Sequence, residues 1–126
     1  MITFIVRANI KEDKEDELRD AMQAISATAS TKEPDFATYT HVSADGSQVT
    51  FVNLASDSAA LGEHFAVAGE NPATPLMMAA LELTDVEIFG ELTPEVEAMV
   101  AGMNPTRYIP DVGTFDRRLT KTVARA

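Results

Sequence analysis

The chain opens on strict alternation. Ile2, Phe4, Val6, Ala8 and Ile10 form one wholly apolar face and Thr3, Ile5, Arg7 and Asn9 a mixed one, the period-two signature of a strand over Ile2–Ile10. From Lys11 to about Ser30 the period lengthens to that of a helix, with Leu18, Met22, Ile25 and Ala29 on one stripe. Glu33-Pro34-Asp35 closes this unit, because a residue before proline avoids helical angles. Strand-forming residues return over 36–42 and 49–55 around Asp45-Gly46, a pair that predicts a two-residue hairpin turn. Alternation there puts Ala37, Tyr39 and His41 on one face and Phe36, Thr38, Thr40 and Val42 on the other.

Ser56 or Asp57 is the expected cap of a second helix, with Leu61, Phe65 and Ala68 inward and Gly69 at its end. After the break Asn71-Pro72-Ala73-Thr74-Pro75, a short apolar helix is expected over 76–83, then a strand over 85–92. Thr93 and Pro94 open a last helix with Val96, Met99, Val100 and Met103 inward. Thr106–Phe115 reads as an edge strand or crossing arm, interrupted by Pro110 and Gly113. The order is β-α-β-β-α-β plus an extension. It predicts an α+β, ferredoxin-like βαββαβ fold with an antiparallel sheet, spanning 1–92, and a C-terminal helix and strand-like arm over 93–126 in the same domain. Two helices cover one sheet face. The other, with Phe36, Thr38 and Ile5 expected on it, needs a partner, and a homodimer pressed sheet against sheet, with the C-terminal arm reaching across, supplies one.

Composition narrows the picture. A chain of 126 residues with 45% hydrophobic content is long enough to bury a core and too apolar to be disordered. No apolar run approaches the roughly 20 residues of a spanning helix, and the N-terminus reads as a strand rather than a signal sequence. With no cysteine, a cytoplasmic location fits. The formal charge is −10, concentrated in residues 1–106, whereas Arg107, Arg117, Arg118, Lys121 and Arg125 make the end of the chain basic. An acidic body disfavours nucleic acid and anionic membrane, and the basic tail reads as solvated or lying on an acidic surface. Glu12, Asp13, Glu15, Asp16 and Glu17 crowd the start of the first helix, where its dipole favours anions, so the run has a structural explanation. No metal site is expected: the two histidines lack ligand spacing.

Several short motifs carry a resemblance. Glu33-Pro34-Asp35-Phe36, Tyr39, the strand ending Val52-Asn53-Leu54-Ala55, and Ala60-Leu61-Gly62-Glu63-His64 resemble the E-P-G turn, second-strand Tyr, third strand and A-L-x-x-H helix of the antibiotic-biosynthesis-monooxygenase-like family of dimeric α+β barrels. The family's third-strand Trp falls at Ala55, and the first-strand Asn of its haem-degrading members falls at Ala8, so the resemblance does not imply haem degradation. It implies cofactor-independent oxygenation of a quinol or polyketide-like aromatic, with no cofactor.

Such chemistry asks for an apolar cleft, a base, and donors that stabilise the anion formed. Between sheet and helices the expected lining is Phe4, Val6, Ala8, Ala37, Tyr39, Phe51, Leu61, Phe65 and Met77 or Met78. His64 lies one turn after Leu61 at the margin of the buried stripe, and His41 shares a strand face with Tyr39; these two are the candidate bases. Tyr39, Phe4, Phe51, Leu61, Phe65 and Met77 are the candidate contacts for a hydrophobic small molecule. Arg7 and Asn53 are assigned to the dimer side. The alternative is a non-catalytic homodimer of the same fold that binds a small molecule, the histidines and Tyr39 serving only as packed or surface residues.

Overall fold

The computed structural model describes residues 1–113. Five strands, β1 (Ile2–Ile10), β2 (Phe36–Val42), β3 (Gln48–Ala55), β4 (Leu81–Phe89) and β5 (Thr106–Tyr108), form one sheet in the order β2-β3-β1-β4-β5. The first four pair antiparallel, and β5 joins β4 in parallel. Helices α1 (Glu15–Lys32), α2 (Ser58–Glu70), α3 (Ala73–Ala79) and α4 (Pro94–Val100) complete the ferredoxin-like α+β architecture.

Alternation along β1 does what its pattern requires. Ile2, Phe4 and Ala8 are buried, and beside them Ala55, Phe51 and Val49 of β3 point the same way. Two clusters make up the core: one joins Phe4, Leu61, Ile88, Val96 and Val100, the other Ala8, Leu18, Val49, Phe51 and Leu81. Asp57 caps α2 by accepting from Ala60 N at 2.8 Å, and Thr93 caps α4 by accepting from Val96 N.

Several boundaries differ from expectation for local reasons. The hairpin is not a two-residue turn. Ser43 N donates to Gln48 O, leaving a wider loop in which Asp45 accepts from both Ser43 and Ser47, and only Gly46 takes a positive φ of 76°. Those hydrogen bonds hold the Asp45 carboxyl down at about 2. Helix α1 starts at Glu15 rather than Lys11, after a turn in which Asp13 adopts a φ of 62°. Helix α2 runs one residue past Gly69. The next helix begins at Ala73, not 76, because the Asn71 side chain accepts from Ala73 N, and it ends before Leu81, which pairs with Ile10 at the start of β4. Met99 faces outward, not inward. Of the expected arm over 106–115, residues 106–108 form the edge strand β5, and residues 114–115 and the basic tail lie outside the described residues.

The largest correction concerns parity. Phe36 pairs with Ala55 and Thr38 with Asn53, so Phe36 and Thr38 face the helices, not the open side. Ala37, Tyr39 and His41 sit opposite Leu54, Val52 and Thr50, on the face that also carries Ile5, Arg7 and Phe89. Arg7 there is ion-paired with Glu87.

Gly90 turns the chain out of β4 with a φ of +123°, and a Cβ built on it would stand 2.6 Å from Ile2 Cδ1 and 3.2 Å from Met1 O. Gly90→Ala should therefore destabilise the fold by about 1–3 kcal/mol, read as a lowered urea midpoint at unchanged slope.

Candidate active site

A cavity of about 700 Å³ opens between the sheet and α1, α2 and α3. Its walls are apolar: Phe4, Phe51, Phe65, Met22, Met77 and Leu81 among others, with no Lys, Arg, Asp or Glu on them among the described residues. The polar groups that reach it are few, as in small-molecule sites generally. Among them are His64, Asn53 and Thr38.

His64 is fixed from two directions. Glu33, at the C-terminal end of α1, meets its Nδ1 with Oε1 at 2.8 Å. The Phe36 ring stacks on the imidazole with centroids 3.9 Å apart and planes 10° from parallel. A carboxylate accepting Nδ1–H sets the tautomer whose lone pair is on Nε2, the nitrogen with no partner among the described residues. Glu33 is buried beside it. The arrangement is a base held in one orientation beside apolar space, with Nε2 as its basic nitrogen while the ring is neutral.

Burial pushes the His64 imidazole below its ordinary value of 6.5, while the Glu33 carboxylate pulls it back up by charge and hydrogen bond. Because the folded value lies below the unfolded one, the unfolded chain binds the extra proton first. The stability this residue contributes is present above about pH 6.5 and is lost as pH falls through the folded value. Glu33→Gln removes the upward pull. The His64 midpoint followed by proton NMR should lie below 6.5 in the native protein and lower still in the variant; an unmoved midpoint contradicts the pairing.

Asn53 is pinned as firmly. Its Nδ2 donates to Phe4 O at 3.0 Å and its Oδ1 accepts from the Thr38 hydroxyl at 2.8 Å. It lies on the helix-facing side of the sheet, not on the dimer side to which its sequence context assigned it.

The expected contacts divide. Phe4, Phe51, Phe65, Met77 and His64 come together at the cavity. Tyr39 reaches its rim from the edge strand while 57% exposed, its strand parity directing it away from the helices. Leu61 is fully buried in the core behind the wall and touches no cavity space. His41, exposed on the opposite sheet face, is not brought to the cavity at all. Glu33 and Phe36 were missed as site residues. In the sequence Glu33 and Phe36 stand out as a helix end before proline and as part of the E-P-G-like turn, and neither pattern points to a partner for His64.

The sheet order, the helices packed on it and the cleft between them define a ferredoxin-like α+β protein with the fold of the antibiotic-biosynthesis-monooxygenase-like proteins. Solved structures of that fold superpose on it. MupZ from Pseudomonas fluorescens matches at a TM-score of 0.76 and 19% identity over 92% of this chain and 88% of its own. SnoaB from Streptomyces nogalater, described as a cofactor-independent oxygenase, matches at 0.60 and 16% identity over 73% of this chain and 93% of its own. A further structure, described as an antibiotic biosynthesis monooxygenase, matches at 0.58 and 22% over 70% and 93%. Identities this low establish a shared fold and transfer no residue roles. No family model and no curated protein sequence matches the chain. Among the described residues no helix is long and apolar enough to cross a membrane, and no cluster of His, Asp or Glu could hold a metal ion.

Proposed function

We propose that this protein is a cofactor-independent oxygenase of an uncharged, electron-rich aromatic of the quinol class, with His64 as its base. The observation that carries the reading is the Glu33–His64 pair set into an otherwise uncharged cavity. Nε2 takes a hydroxyl proton from the bound ring, and Glu33 steadies the imidazolium that forms. The resulting anion is a far better electron donor than the neutral quinol and reduces oxygen directly. One oxygen atom enters the ring and the other leaves as water, the quinol supplying the electrons and becoming a hydroxyquinone. The second Nδ2 hydrogen of Asn53, the one not given to Phe4 O, is the donor this reading assigns to the anion, since the Thr38 hydroxyl is spent on Asn53 Oδ1. Oxygen uptake measured against a panel of quinols tests this: at least one should be consumed with equimolar oxygen, and no uptake with any of them overturns it. The non-catalytic alternative predicts ligand-induced thermal stabilisation without turnover.

The active form in this reading is a homodimer. Ile5, Val52, Leu54 and Phe89 lie half-buried on the open sheet face, with Tyr39 and Tyr108 exposed among them. Covering such a patch favours association by roughly 25 cal/mol per Å² of apolar surface removed from water. Light scattering at micromolar concentration should give twice the chain mass, and Val52→Asp, which buries a charge in the joint, should give the single mass. A native protein that is a stable single copy at that dilution contradicts it.

A further inference from the structure

A second apolar space, about 730 Å³, lies along the outer side of α1. Its floor is Ile10, Val42 and Val49, and it shares Met22, Ser26 and Ser30 with the cavity that holds His64. The two spaces therefore abut along one helix. The inner cavity meets α1 from Met22 to Ser30, whereas the outer trough continues towards the N-terminal end, past Arg19 to Glu15. From Ser30 to Arg19 is about 16 Å of helix at 1.5 Å per residue. Its cause is visible in the packing: β2 is the sheet edge, and Thr40 and Val42 point to the helix side without a helix above them.

Charge is distributed unevenly along the two abutting spaces. Among the described residues no Lys, Arg, Asp or Glu lines the end at His64, and the first charged side chains are Glu15 and Arg19 at the far end. A ligand that uses the whole length is uncharged at its reacting head and apolar through its middle. We infer that the substrate is an elongated amphiphile, an uncharged ring at His64 carrying an aliphatic tail that lies in the trough between α1 and β2. Placing the ring at His64 rests on the oxygenase reading; the tail site rests on the abutting spaces alone.

Isothermal titration without oxygen tests this with two uncharged probe series below their micelle concentrations: 2-alkylhydroquinones and primary n-alcohols, from methyl to dodecyl. Each added methylene should tighten binding about fourfold until the trough is filled. Ala27→Trp on α1 and Thr40→Trp on β2, both at exposed positions that line only the trough, should weaken the dodecyl members at least tenfold. Methylhydroquinone should bind both variants as it binds the native protein. Dodecyl affinity unchanged in both variants, or no binding by either series, overturns the inference. So does a fall in oligomeric mass in the tryptophan variants with ligand affinity intact, since the trough then covers a second copy. Alkylhydroquinones that bind in this pattern but are never oxidised leave the tail site standing and overturn only the oxygenase reading.

Discussion

Replacing His64 with alanine is expected to lower the rate of oxygen uptake on a good quinol at least tenfold and by about a hundredfold, the usual contribution of a positioned general base. The size follows from how little else in the cavity can take a proton: among the described residues no charged side chain and no second imidazole lines it. Removing the ring also strands the buried Glu33 carboxylate, at a cost of about 1–3 kcal/mol. Reduced activity in His64→Ala could thus report a weakened fold. His64→Gln separates the two, since its amide can still donate to Glu33 but offers no basic nitrogen. Both variants should lose the rate, and the glutamine variant should unfold closer to the native midpoint. A glutamine variant with native turnover removes His64 from the chemistry.

The largest loss of stability is expected from Leu61→Ala. Leu61 is fully buried and packs α2 into the cluster that contains Phe4, Ile88 and Val96. Truncation removes apolar burial and leaves a void, together worth about 2–5 kcal/mol. Leu61→Met, which conserves volume, should cost less than about 1.5 kcal/mol. Urea midpoints for the three proteins check the order. Because Leu61 lies one turn before His64, a partial loss of turnover in Leu61→Ala at temperatures where it remains folded would show that the core holds the base in register.

The strands and helices were legible because each buries one face, and burial writes its period into the chain. The alternation of β1, the stripe of α1, the Asp57 and Thr93 caps and the proline at the start of α4 all lie where the pattern put them. Boundaries around Asp45, Asn71 and Leu81 shifted because side-chain hydrogen bonds and strand pairing, which are not periodic, decide them. His64 could be picked out from its place beside the buried stripe. Its partner could not.

Alternation divided β2 into two sets of side chains but could not say which set met the helices. That depends on register with β3, where Thr38 falls beside Asn53 and Tyr39 beside Val52. His41 went to the open face for that reason, whereas Asn53 shares the parity of Phe51, so alternation along β3 already put it on the cleft side. The amino-acid order alone determined the element sequence, the α+β class and an apolar cleft with His64 and His41 as its two candidate bases, since those follow from local preference and one-sided burial. Only the folded chain decided that Glu33, thirty-one residues away, closes on His64 and that a trough abuts the cleft along α1. Contacts between distant segments are set by how the elements pack, and no local pattern records them.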